Sequence, residues 1–507
     1  MCALRVALNV VTSGLLNPMD EELTLDPVDW DGLRQTFQIA ADLCISKMQG
    51  VREEPVWRPA PDHVKAHFRT NLPQEGQALD TLVRDFQENI LPYSTGNSHP
   101  RFWGWVHGGG TVAGALAEML AGFMNSNVGG RDHIANHVER QVINWCKEMF
   151  SFPSSASGIL TSGTSMGAVI ALTVARNEKA DGDVQTHGMS ASRRMVGYAS
   201  AEAHGCNSKA FDLLGLGRDS LRMVEVDDRF RLKPDALQAR IDADKEAGLL
   251  PFVVIASVGT VNTGAVDDLI AISNICRAEN LWLHIDGAFG GLARLTGRFR
   301  AELESMSLAD SIAFDFHKWL HVPYDAGCVL IKDAAAHRGA FSARREYLES
   351  SEAGLAGGEP WYCDYGPELS RGFRALKVWF TLQSYGVKRL AALIEQNCAQ
   401  AQKLTVLVQN TPELELCAPT HLNVVCFRWI PQTPDATINA LNKELVATLQ
   451  ISGVAAPSTT TIKGKTVIRV CITNHRTRTE DLVLLVDEIR RLGAQINQRA
   501  RAAAAGA

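Results

Sequence analysis

The chain lacks any marked excess of charge. Its 507 residues carry 50 basic against 56 acidic side chains, a net −6. That balance gives no electrostatic case for nucleic acid or for an anionic membrane surface. Long apolar runs are also missing. No segment approaches the roughly 18 uninterrupted apolar residues of a membrane-spanning helix. The 11 cysteines show no C-x-x-C and no paired spacing. An odd, dispersed set reads as reduced thiols, so a cytoplasmic location is expected rather than a disulfide-framed secreted one. The first eleven residues hold one early positive charge and no cleavage site, so no signal peptide is expected. There is no internal repeat, and only the alanine-rich tail at 502–507 is low in complexity. What remains is 46% hydrophobic and 21% charged, an ordinary globular balance. The length suggests about three domains.

Residues 1–110 read as mostly helical. Leu33, Phe37, Ala40, Ala41 and Leu43-Cys44 suit one helical face, and proline-rich stretches punctuate the region. A long helix is expected from about His137, with Val138, Val142, Ile143, Cys146 and Phe150 on one side. Strands and helices then alternate. Strands are expected at 158–161, 195–198, 221–226, 252–256, 281–285, 311–316 and 328–332, with amphipathic helices at 166–179, 204–216, 233–248 and 268–279. This pattern predicts an α/β domain with a large, mostly parallel, seven-stranded sheet. A helix over 369–385 is followed by strands at 421–427 and 466–472 and helices at 435–450 and 480–498. That suits a small α+β domain, with Asp435 as a plausible N-cap. The expected organisation is 1–110, 111–385 and 386–507.

In such sheets ligands bind beyond the carboxyl ends of the strands. Three loaded segments fall there: Ser162–Ser165, Asp286 and His317–Lys318. Lys318 lies in Phe316-His317-Lys318-Trp319-Leu320, at the end of an apolar strand. Desolvation disfavours a lysine's charge, and a lysine so placed can supply a nucleophilic amine to an aldehyde cofactor such as pyridoxal phosphate (PLP). The plainer reading is a strand-end lysine reaching to water. Thr161-Ser162-Gly163-Thr164-Ser165-Met166-Gly167 is a small-residue turn at a helix start. It suits a phosphate, or simply an N-cap. Asp286 closes an apolar strand and is followed by Gly287-Ala288. A carboxylate there could hold the protonated pyridine nitrogen of PLP, or merely cap a turn. His204 could stack on the ring.

The same residues admit a rival chemistry. Gly163-Thr164-Ser165-Met166-Gly167 spells G-x-S-x-G, and His107-Gly108-Gly109-Gly110 matches an esterase oxyanion element. Ser165, Asp286 and His317 would then form a hydrolase triad. That reading leaves Lys318 with no role.

Taken together, Ile285-Asp286-Gly287-Ala288-Phe289 and Asp315-Phe316-His317-Lys318-Trp319-Leu320 resemble the group II PLP-dependent amino-acid decarboxylases, of the aromatic-L-amino-acid decarboxylase type. His99-Pro100-Arg101-Phe102, Ala203-His204, Val258-Gly259-Thr260 and Arg371-Gly372-Phe373-Arg374-Ala375-Leu376-Lys377 match in the same order. The resemblance implies the fold type I architecture and a homodimer, with the helical N-terminal segment packing on the partner subunit. It implies decarboxylation of an L-amino acid with PLP as cofactor. Lys318 then matches the Schiff-base lysine, Asp286 the pyridine-nitrogen partner and His204 the stacking imidazole. Gly163, Thr164, Ser165 and His317 match phosphate contacts, with Thr260, Ala288 and Asp315 nearby. Tyr347 matches the tyrosine that protonates the substrate carbon, on a mobile loop. Trp105, Val106 and His107, with Asn125 and Asn127, match the substrate pocket. Two departures stand out. Asp315 stands where animal aromatic decarboxylases have asparagine near the phosphate, so its carboxylate would repel a phosphate unless turned away. Asn125 and Asn127 are more polar than an aromatic substrate needs, which keeps a small polar or acidic amino acid open. Trp103 and Trp105 favour an aromatic ring.

Overall fold

The structure is a computed structural model describing residues 24–342, 354–431 and 438–505. Contacts divide the chain into two compact units. One comprises the described parts of Met1–Gly50 together with Ala60–Ser94; the other is Val51–Pro59 with the described parts of Thr95–Ala507. The smaller unit is helical. Its longest element, Trp30–Gln49, is capped by Asp29, whose side chain accepts from the Asp31 and Gly32 amides.

The larger unit is built on seven strands: β1 (Ser157–Thr161), β2 (Met195–Ser200), β3 (Leu221–Val224), β4 (Leu250–Ser257), β5 (Trp282–Asp286), β6 (Ser311–Asp315) and β7 (Gly327–Ile331). Their order across the sheet is β1-β7-β6-β5-β4-β2-β3. β3, β2, β4, β5 and β6 are mutually parallel, and β7 runs antiparallel between β6 and β1. The expected large, mostly parallel sheet is therefore present. Ile159, Leu160, Val253, Val254, Ile285, Ile312 and Phe314 fill its buried faces. These near-continuous apolar runs are what a sheet covered on both sides requires. The helix Ile134–Phe150 lays Val142, Ile143, Cys146 and Phe150 against it. Asp268 caps Leu269–Ala278 by accepting from the Ala271 amide.

Four further strands, β8 (Leu414–Leu416), β9 (Val424–Trp429), β10 (Ser458–Ile462) and β11 (Lys465–Cys471), form an antiparallel sheet in the order β10-β11-β9-β8. The helices Ile438–Ile451 and Thr479–Ala505 pack on it.

Several boundaries move from their expected places. The helix read as 369–385 begins at Arg374 and runs to Gln409, broken only at Gly386, whose φ of 69° and ψ of 151° leave the helical region. A glycine tolerates that conformation without steric cost. β8 is only three residues long and β10 is mostly threonine, so neither registers as a strand. The Val112–Met124 helix was not anticipated. Asp435 and Tyr347 lie outside the described residues, as does 350–353 of the expected loop. Among the described residues no helix is long and apolar enough to cross a membrane.

Burial also sets a pH dependence. It pushes His99, His284 and His337 down to about 4. Each is neutral when folded, whereas the unfolded chain takes up a proton below the ordinary value of 6.5. The stability these groups protect is complete above pH 6.5 and falls towards pH 4. The limiting slope is ~1.4 kcal/mol per pH unit for each histidine. Asp267, pushed up to about 6 by burial, works in the opposite sense and offsets one of them. Urea unfolding should therefore show a lower midpoint at pH 5 than at pH 7. Equal midpoints would contradict this assignment.

Candidate active site

A cavity of about 220 Å³ opens at the carboxyl ends of the central strands. Lys318, Asp286, Thr164, Ser165 and His204 all line it. Each arrives on a different element. Thr164 and Ser165 open the helix Thr164–Lys179 directly after β1. Asp286 ends β5, and Lys318 sits in the single turn Phe316–Trp319 after β6. His204 precedes the helix Cys206–Leu213 and accepts from the Cys206 amide through Nδ1 at 3.2 Å.

Asp286 is 6% exposed. Its carboxylate accepts from Asn207 Nδ2 at 3.3 Å and from the Ala288 amide at 3.2 Å. Both bonds hold its acceptor oxygens in a fixed direction. Asn207 was not singled out from the sequence. Its signal is the spacing from His204, three residues on and at the start of the same helix. Cys206 also lines the cavity, its thiol pushed up to about 12 by burial and then by the Asp286 charge.

Thr164 Oγ1 is buried without a hydrogen-bond partner. A buried hydroxyl left unpaired is costly, and this one stands at a helix start where an anion is favoured. The Thr164 amide is already taken, donating to Asp315 Oδ1 at 2.7 Å. Asp315 Oδ2 lies 2.8 Å from Lys318 Nζ. So the Asp315 carboxylate is directed to the helix start and to Lys318. Gly163 is packed close to Asp315 and His317, where a Cβ would lie 3.4 Å from each.

Thr260, Ala288 and Asp315 line the cavity, as do Trp105 and Val106. The Thr260 hydroxyl accepts from the Ala265 amide at 3.0 Å, fixing the turn after β4. His317 lies beside the cavity. Its Nδ1 accepts from the Ala326 amide at 3.1 Å and its ring packs 4.4 Å from Tyr324. Burial lowers its proton affinity, opposed by Asp315. His107 is next in that line of rings, 5.7 Å from Tyr324.

Other residues are not brought together. Asn125 is the left-handed cap of Val112–Met124. Asn127 Oδ1 accepts from the Gly129 and Arg371 amides. Neither lines the cavity. Trp103 is fully buried beneath the small sheet, its indole N–H donating to Thr477 Oγ1, so it cannot stack a substrate.

The hydrolase reading fails on geometry. Ser165 faces Cys206 rather than a histidine. His317 has its Nδ1 occupied by a backbone amide, and Asp286 is tied to Asn207. Gly108 is not part of an oxyanion hole. A Cβ there would overlap the carbonyl oxygens of His317 and Lys318, so its glycine lets two backbones touch.

A lysine, a buried carboxylate and an unpaired hydroxyl at a helix start fit PLP. On this mostly parallel sheet they define a PLP-dependent enzyme of fold type I. The chain belongs to the pyridoxal-dependent decarboxylases, whose conserved domain matches residues 61–430. It is 34% identical over 486 residues to an aromatic-L-amino-acid decarboxylase of Bacillus atrophaeus, covering 94% of this chain and 98% of that one. A histidine decarboxylase of Mus musculus is 29% identical, covering 90% of this chain and 70% of its own length. The Oryza sativa TDC crystal structure with PLP and tryptamine superposes with a TM-score of 0.86 at 24% identity, covering 93% of this chain and all of that one. The protein is thus a PLP-dependent amino-acid decarboxylase, a lyase.

Proposed function

We propose that this decarboxylase converts an aromatic L-amino acid to its amine and carbon dioxide. The observation that carries the reading is the lining of the cavity. Trp105, Val106 and Phe289 supply its apolar surface, while Asn125 and Asn127, which kept a polar substrate open, lie elsewhere. Bound PLP supplies an electron sink for the pair released when the Cα–carboxylate bond breaks. Lys318 would hold the cofactor through its amine, and Asp286 would keep a proton on the pyridine nitrogen. The Thr164 and Ser165 hydroxyls, with Gly163, would receive the phosphate. His204 would cover the ring, and Thr260 and Ala288 would shape the wall around it. Tyr347 returns a proton to the substrate Cα.

A screen of carbon-dioxide release across the amino acids and dihydroxyphenylalanine tests the substrate class. Release from tryptophan, tyrosine, phenylalanine or dihydroxyphenylalanine is expected, with the amine as product. Release from aspartate or glutamate alone would end the aromatic reading.

The working unit is a homodimer. Val112, Leu116, Leu120 and Phe123 are exposed by 56%, 48%, 38% and 69% and fall on one stripe of their helix. A second copy of this chain covers that stripe. Sedimentation should return twice the mass of one chain, and a monomer at micromolar concentration would contradict it. The location is cytoplasmic, supported by described cysteines that are all free thiols.

A further inference from the structure

Asp315 is buried between two elements that line the cavity. The carboxylate is 3% exposed as a side chain. One oxygen accepts the first amide of the Thr164–Lys179 helix at 2.7 Å, and the other meets Lys318 Nζ at 2.8 Å. The carboxylate therefore joins the helix start after β1 to the lysine-bearing turn after β6. The fit is tight. A Cβ at Gly327 would lie 2.8 Å from Asp315 Oδ1 and 2.6 Å from Gly163 Cα. With the Thr164 amide occupied, the unpaired Thr164 hydroxyl is left as that residue's donor towards the cavity.

We propose that Asp315 is a positioning residue that turns away from the cofactor phosphate, pins the start of the phosphate-binding helix, and pairs by charge with the Lys318 nitrogen. This rests on Lys318 being the residue that carries PLP. An asparagine at 315 keeps an oxygen for the Thr164 amide but offers Lys318 no charge. The two tasks can therefore be separated by substitution.

Other groups act on the same nitrogen. His317 adjoins it on its own turn, with Nε2 3.7 Å from Asp315 Oδ2. Asp286 approaches from β5, Cys206 and His204 from beside the Cys206–Leu213 helix, His107 from the segment before Val112 and Cys471 from β11, while Tyr324, in the loop before β7, faces Asp315. Among these described groups Asp286 is the other carboxylate, and it is bonded to Asn207. Asp315 is the carboxylate in direct contact with Lys318.

The test is a pH titration of the visible absorbance of PLP-loaded protein, for the parent and for Asp315→Asn. A carboxylate in contact with a cation shifts its proton affinity by roughly 1–3 pH units. In Asp315→Asn the midpoint should fall by about one unit or more, with PLP still retained on dialysis. In Asp315→Ala the helix start also loses its acceptor, and PLP should dissociate on the order of tenfold more readily, the usual effect of losing a charge-assisted hydrogen bond. A parent with the visible band and an Asp315→Asn midpoint unchanged within about 0.3 units would overturn the charge role. PLP retained by Asp315→Ala as tightly as by the parent would overturn the pinning role. A parent with no visible band at all would instead remove the assignment of Lys318, and this proposal with it.

Discussion

Lys318→Ala is expected to abolish amino-acid decarboxylation while leaving the protein folded. Among the described residues the Lys318 amine is the one primary amine lining the cavity, so no other described side chain there can hold the cofactor covalently. A shortened side chain leaves Asp315 without its ammonium partner. Its other oxygen keeps the Thr164 amide, and His317 remains beside it, so the turn has reason to persist. PLP should still be retained weakly through the helix start and Asp286. Circular dichroism and equilibrium dialysis check the fold and the residual binding. Turnover above about one part in a thousand of the parent would assign the chemistry to another residue, since losing a covalent catalyst costs far more than losing one acid or base, ~10²–10⁴-fold.

Asp286→Asn should bind PLP yet turn over slowly, by ~10²–10³-fold, the usual cost of losing one preorganised charge at a reacting group. Two donors converge on Asp286: the Asn207 amide and the Ala288 N–H. A carboxylate accepts both and still offers lone pairs to a protonated ring nitrogen. An amide at 286 must turn an NH2 towards Asn207 or towards the ring. Either choice opposes a donor to a donor, and the neutral side chain no longer favours the protonated pyridine on which the electron sink depends. Single-turnover measurements separate this from weaker substrate binding. A variant with near-parental kcat would show that Asp286 has no part in the chemistry.

Much of this site was legible because its residues sit at strand ends. The rule that ligands bind beyond the carboxyl ends of a parallel sheet joined Thr164, Ser165, Asp286 and Lys318 across more than 150 residues of sequence. The near-continuous apolar runs leading to them marked where each strand stopped to within a few residues. The antiparallel direction of β7 was not legible, because a short buried run reads alike in either direction. Nor was the tie from Asn207 to Asp286, since a polar residue at a helix start looks like any cap. Trp103 and Trp105 are two residues apart, yet one is fully buried and the other 56% exposed. Their difference comes from the chain running beside the small sheet, where the Trp103 amide donates to Ala456 O and Trp103 O accepts from the Cys471 amide. Glu139 and Arg371 form a fully buried ion pair at 2.7 Å, also closed by the Leu160 carbonyl. The Arg371 motif was visible as a resemblance, but its partner 232 positions away was not.

Borohydride reduction tests most directly whether Lys318 carries the cofactor. Purified protein should be yellow, should lose its visible band on reduction, and should yield a single peptide bearing the reduced cofactor on Lys318 by mass spectrometry. Protein that stays colourless when given PLP, or a label found on any other lysine, would contradict it.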